Sequence, residues 1–310
     1  MYLRGLLSLI YVYWIGVWYS LIELLITYRE AKAGRNDERM LAEVKASRFY
    51  NRDQASRVAF VTGGAGAIGQ QVVRLLLKLG YRVFVFGHDA HSLNFPEGSD
   101  DVPMSKRAFA GFDVDLCSDD STLFSLMREI YEDAIAPAKI DLFISCHGVM
   151  AAPFKLNGRN QESHMALNLF ANVHLCRHIL DQFASDDCRM VLLSSSTLHA
   201  AFPLPEDFSK DRFSCSYSNS YHAYSFSKFC LSLFANLEVE RKRKANEPCN
   251  MITLHPGVVP SALYRNVNLV SRIFITRFLH YFLRHVKRAA FDVVLSAHAD
   301  TFESGQYYEY

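Results

Sequence analysis

Apolar residues are laid along this chain in two ways. From Gly5 to Thr27 they run almost without interruption, with Glu23 the one charge. A helix over that run, at 1.5 Å per residue, covers roughly 30 Å of hydrocarbon, so the first thirty residues read as a transmembrane or membrane-anchor helix. Trp14, Trp18 and several tyrosines suit a membrane interface. A charged stretch, residues 31–56, reads as a linker. Beyond it the pattern becomes alternating: Arg57–Thr62 is a short apolar run of strand length, and Ile68, Val72, Val73, Leu75, Leu76 and Leu79 recur at helical spacing up to Gly80.

Strand-length runs return at Val83–Phe86, Ala108–Phe112, Ile140–Ser145, Met190–Ser194 and Met251–Leu254, most of them separated by helix-length segments. Strands alternating with helices predict an α/β fold, a single Rossmann-type doubly wound parallel sheet over residues 57–310. Ligands bind such sheets at the carboxyl ends of the strands.

Composition narrows the picture. Of 310 residues, 33 are Lys or Arg and 32 Asp or Glu, a balance that gives no reason to expect a nucleic-acid partner. Seven scattered cysteines, an odd number without a C-x-x-C pair, argue against a disulfide framework and for a reducing compartment. No N-x-S/T acceptor site is present. Arg4 precedes the apolar run while Arg29, Lys32, Arg35 and Arg39 follow it, which places the bulk of the chain on the cytosolic side. A cleaved leader ending near Ala31-Lys32-Ala33, or a helix lying on the membrane surface, are the alternatives.

Two segments carry chemistry. Thr62-Gly63-Gly64-Ala65-Gly66-Ala67-Ile68-Gly69 leaves a strand and opens a helix, so its backbone can approach a pyrophosphate at a helix N-terminus. Tyr224-Ser-Phe-Ser-Lys228 puts a phenol and an ammonium one helical turn apart. Unit charges about 4 Å apart at an effective dielectric of about 20 interact by roughly 4 kcal/mol, enough to pull a phenol from about 10 towards neutrality. A tyrosine so tuned exchanges protons with an alcohol. His88 with His91, and His174 with His178, lack a third ligand at a usable spacing, so no metal is expected. The Ser194–Ser196 run lacks a G-x-S-x-G elbow and does not read as a hydrolase.

Together these segments resemble the short-chain dehydrogenase/reductase family over about residues 57–310. The resemblance implies hydride transfer with a nicotinamide cofactor. It implies that Tyr224 is the acid/base and that Lys228 lowers its pKa and holds the nicotinamide ribose. Ser195, with Ser194 and Ser196 as other registers, would hydrogen-bond the substrate oxygen, and Asn168 would order a proton-relay water. The cofactor contacts it implies are Thr62, Gly63, Gly66, Ile68, Gly69, His88, Asp115, Leu116, Gly148, Tyr224, Lys228, Pro256, Gly257, Val259 and Ser261. Gly305-Gln-Tyr-Tyr resembles the last strand.

Several features depart from the common pattern. The family's Asn-Asn-Ala-Gly turn is Ser145-Cys146-His147-Gly148 here. Glycines at 63, 66 and 69 have the spacing of extended members such as nucleotide-sugar epimerases, yet only 82 residues follow Lys228, too few for their sugar-nucleotide domain. The gap from Ser195 to Tyr224 is long, and His199–Ser220 reads as an inserted surface loop beside the site. A similar insertion occurs in the branch acting on retinol and other lipophilic alcohols. Gly148–Pro153, Gln161–His164 and His255–Val259 look most like its members that act on polyisoprenoid alcohols.

The basic, apolar segment 266–288 suits a membrane surface, with helix packing or a homodimer face as alternatives. Gly87 stands where an NAD-selecting carboxylate would sit, with His88 and Asp89 following, so NADP or dual use is favoured and NAD is the alternative. The expected function is an NAD(P)-dependent oxidoreductase of lipophilic alcohols (polyprenol or dolichol, retinoid, steroid). It is expected on the endoplasmic reticulum or lipid droplets, facing the cytosol. An epimerase or dehydratase of a nucleotide sugar, or a catalytically weak binding protein on the same fold, are the rivals.

Overall fold

A computed structural model describes residues 2–32, 34–52, 57–93, 95, 108–117, 120–208, 217–268, 273 and 283–309. Seven parallel strands form one sheet: β1 (Val58–Thr62), β2 (Arg82–Gly87), β3 (Phe109–Asp113), β4 (Ile140–Ser145), β5 (Ala184–Leu193), β6 (Asn250–His255) and β7 (Tyr307–Glu309), ordered β3-β2-β1-β4-β5-β6-β7. The helices are α1 (Tyr2–Lys32), α2 (Asp37–Ala46), α3 (Ala67–Lys78), α4 (Asp120–Ile130), α5 (Ala171–Gln182), α6 (Ser220–Lys244) and α7 (Val286–His298).

Both faces of the sheet are covered, which explains why its central strands read as unbroken apolar runs. Along β1, Val58 and Phe60 join one core with α4, α5 and α6, while Ala59 and Val61 join the other with α3 and α7. The order of strands reverses between β1 and β4, so a crevice opens beyond their carboxyl ends.

One segment differs from expectation. Residues 37–46, inside the stretch read as a linker, form α2, whose N-terminus is capped by Asn36 accepting from the Arg39 amide at 2.9 Å. Its Met40 and Val44 are fully buried with the α3 and α7 core. Two apolar side chains one turn apart were enough to draw a polar segment onto the fold. Segment 266–288 lies largely outside the described residues. Of its basic residues within them, Arg284 is buried and its Nε bonds Asp292 at 2.9 Å, and Arg288 bonds Glu30 of α1 at 2.8 Å. Those two cations face the protein, because a buried carboxylate and a helix-end glutamate bind them there, while Lys287 is exposed.

Helix α1 is long and apolar enough to cross a membrane by length and composition. It also packs along the α/β body, touching α6 and the turn after β5, with Val12 and Ile15 buried.

Candidate active site

The glycine turn follows from backbone demands. Gly63 sits at φ +67°, and a Cβ there would lie 2.6 Å from the His147 amide nitrogen. A Cβ on Gly69 would meet the Gly63 carbonyl oxygen at 2.2 Å. Gly66 caps α3 without any side-chain hydrogen bond, and no acid stands in the first turn. The head of α3 therefore presents backbone N–H donors in a cradle that side chains would fill, which fits a dinucleotide pyrophosphate. Thr62 ends β1 beside it. At the end of β2, Gly87 is at φ +143°, and His88 and Asp89 form an exposed turn. Asp115 accepts the Cys117 amide at 2.9 Å, and Leu116 is buried.

Helix α6 starts at an Asn219 cap, which accepts the His222 amide at 2.8 Å, and carries Tyr224 and Lys228 into the interior. Ser195 lines the same cavity as Tyr224 and opposes the rise in the phenol's pKa, while its own Oγ accepts from the Thr197 amide at 3.3 Å and the Thr197 hydroxyl at 3.0 Å. Its neighbours also line the cavity but bond elsewhere: Ser194 donates to the Lys228 carbonyl at 3.2 Å, and Ser196 lies 3.3 Å from His255. Ser195 is thus the member of the run that meets the tyrosine.

The expected lowering of the phenol is not found. Burial pushes Tyr224 up to about 12, with Ser195 opposing. The reason is the direction of Lys228: its Nζ donates to the Leu193 carbonyl at 2.7 Å, and burial brings its own pKa down to about 8. Helical spacing makes the two residues neighbours but does not choose the lysine rotamer.

Asn168 lies in a π-helical turn, Met165–Phe170, before α5 and is fully buried. Its Oδ1 accepts the Val149 amide at 2.9 Å, and its Nδ2 donates to Ser227 at 2.9 Å, tying the strand β4 exit to α6. Gly148 leaves room for this: a Cβ there would lie 3.2 Å from Asn168 Oδ1 and 3.4 Å from Lys228 Nζ.

His147 explains how the altered turn holds together. Its Nε2 lies 3.0 Å from the Leu167 carbonyl, which can only accept, so Nε2 carries the proton. Nδ1 then accepts from Thr62 at 2.7 Å and Ser145 at 3.2 Å. Burial lowers its pKa to about 3, so it is a neutral link between β1, β4 and the Asn168 turn. Nothing in the sequence beyond its place in the turn announced this.

A cavity of about 620 Å³ adjoins these groups. Ile68, Ser195, Tyr224, Pro256, Gly257, Val259 and Ser261 line it together. Gly257 is at φ +91° in the turn after β6. Gly148, Asn168 and Lys228 lie together outside the lining, and so do Thr62, Gly63, Gly66 and Gly69 of the glycine turn and His88, Asp115 and Leu116. The opposite wall was not foreseen: it is α1, through Val12, Ile15, Gly16, Val17, Leu21 and Leu24. A signal was present in the sequence, since Arg4, Ser8, Tyr19 and Glu23 put polar groups along one face of an otherwise apolar helix.

A family model described as short chain dehydrogenase matches residues 57–205. Polyprenol dehydrogenase of Mus musculus is 29% identical over 263 residues, 81% of this chain and 74% of that protein. Retinol dehydrogenase 12 of Bos taurus is 26% identical over 256 residues, 81% of this chain and 77% of its own. Among solved structures, a dehydrogenase/reductase from Sinorhizobium meliloti superimposes with TM-score 0.60 at 18% identity, covering 88% of this chain and 97% of that one. An NADP complex of RhlG from Pseudomonas aeruginosa gives 0.57 at 20% identity, covering 84% and 96%. These structures share the fold.

Proposed function

The chain belongs to the short-chain dehydrogenase/reductase family, in its retinol-dehydrogenase-like branch, and from that premise we propose that it interconverts a lipophilic alcohol with its aldehyde or ketone. It is an oxidoreductase of a family that binds NAD(P). The observation that carries the reading is Ser195 and Tyr224 together on the wall of a cavity otherwise lined mainly by apolar side chains, α1 among them.

In this reading Tyr224 exchanges a proton with the substrate oxygen and Ser195 hydrogen-bonds that oxygen. Lys228, turned from Leu193 to the phenol, favours the ionised tyrosine and holds the ribose; Asn168 keeps the relay in place. Thr62, Gly63, Gly66, Ile68, Gly69, Gly148, Pro256, Gly257, Val259 and Ser261 hold the cofactor, with His88, Asp115 and Leu116 towards its adenosine end. The bound nicotinamide supplies or takes up the hydride.

The substrate class is a polyprenol, retinoid or steroid alcohol. The cavity lining and the names of the relatives at 29% and 26% identity support this. NADP, or use of both cofactors, is supported by a glycine, Gly87, in place of a carboxylate as the last residue of β2. Helix α1 attaches the enzyme to the endoplasmic reticulum or lipid droplets, with the catalytic body in the cytosol.

The test is a panel of lipid alcohols and aldehydes with NAD(H) and NADP(H), on protein kept in detergent. Turnover of at least one lipid pair is expected. Binding and conversion of UDP-sugars, with none of the lipids turned over, would reverse the reading.

A further inference from the structure

We infer that α1 does not cross the membrane but lies along it, one face sealed to the catalytic body and the other sunk in a single lipid leaflet. The sealed face is bonded over nearly the whole helix. Arg4 pairs with Asp207 at 2.7 Å, Ser8 donates to the Ala200 carbonyl at 2.7 Å, and Asn219 donates to the Gly5 carbonyl at 2.7 Å. Further along, Tyr19 bonds Glu309 and Glu23 accepts the Val258 amide at 2.7 Å. Near the end Glu30 accepts from Arg288 at 2.8 Å. From Arg4 to Glu30 is about 39 Å of helix. A spanning helix would have to bring roughly 30 Å of hydrocarbon against a body carrying Glu309, and His199 bonded to it, at its side. A helix parallel to the surface keeps both of those groups in water.

The other face is a stripe of apolar side chains. Leu3, Ile10, Trp14, Val17, Leu21 and Leu25 are between 54% and 69% exposed, and Trp14 stacks on Trp18 with ring centroids 5.9 Å apart. No charge stands on the stripe before Arg29 and Lys32, which suit anionic headgroups. A stripe of this length must be covered.

The cavity decides between lipid and a second copy of the chain. Val17, Leu21 and Leu24 line the cavity and are also exposed on this face, so its mouth opens on the stripe. A protein seated there would close the mouth. A leaflet leaves it open to a lipid alcohol entering sideways. That step rests on the substrate reading above; the bonding of the sealed face does not.

The test uses the full chain and needs no turnover, so an inactive protein still answers it. With epitope tags at each terminus, protease added to intact microsomes should treat both tags alike; protection of one alone would mean a crossing and would overturn the inference. Trp14 and Trp18 are the chain's two tryptophans. On phosphatidylcholine–phosphatidylserine vesicles their fluorescence should be quenched severalfold more by lipids brominated near the headgroup than by lipids brominated at the chain ends. Stronger quenching from the chain ends, or none with a dimer on sedimentation, would also overturn it.

Discussion

Lys228 aims its ammonium at the Leu193 carbonyl, 2.7 Å away, and not at the phenol of Tyr224 one turn before it. The site therefore holds a protonated tyrosine beside a serine, with the lysine turned away from the phenol. Tyr224 is pushed up to about 12 by burial and Lys228 down to about 8.

Tyr224→Phe removes the proton donor and keeps the ring that fills the site. Turnover should fall by roughly 10²–10⁴-fold, the usual share of a general acid/base. Cofactor affinity, followed by fluorescence titration, should change little. Near-normal turnover would sink the assignment.

Lys228 sets a pH dependence of stability whose sign follows from its lowered pKa. Below about pH 8 both folded and unfolded chains hold the proton. Between about 8 and 10.5 only the unfolded chain does, so this group adds stability as pH rises through that window. A shift of this size corresponds to about 3 kcal/mol. Lys228→Met should be inactive yet up to about 3 kcal/mol more stable at pH 7, with the gap closing towards pH 10.5 in urea melts. A gap that does not move with pH would contradict the lowered pKa.

Four buried histidines make the fold sensitive to acid. Burial lowers His147 to about 3 and His222, His255 and His298 to about 4. Above pH 6.5 both states are neutral at these rings. Below it the unfolded chain takes up protons that the folded chain refuses, so stability falls with pH down to about 4. At pH 5 each ring should have cost about 2 kcal/mol. Urea midpoints at pH 7.5 and pH 5 check this, and equal midpoints would refute it.

Gly16 lines the cavity from α1, and a Cβ added there meets nothing within 4 Å. Gly16→Trp should fill the cavity without disturbing the helix. The KM of a long-chain alcohol should rise at least tenfold while kcat/KM for a short one is kept. An equal loss for both chain lengths would show that α1 does not shape the substrate space.

The alternation of strands and helices, the glycine cradle, and Tyr224 with Lys228 on one helix were all legible in the sequence. Each depends on residues within a few positions of one another, through side-chain period, backbone freedom at glycine and the pitch of a helix. Of three serines in a row, however, the local pattern offered no choice. Ser195 is singled out because α6 places Tyr224 opposite it. His147 was visible only as a departure, and its bonds to Thr62 and Leu167 join elements far apart in the chain.

Hydropathy by itself established that residues 5–27 seek an apolar surrounding, and the motif spacing established the resemblance to a family and the residues to look at. Where α1 lies was decided by tertiary contacts alone. Arg4 meets Asp207 across 203 positions, and Glu23 meets the Val258 amide across 235. Summed apolarity is a property of the segment, but which side of a helix is bonded, and what it then encloses, depends on partners that only the folded chain brings alongside.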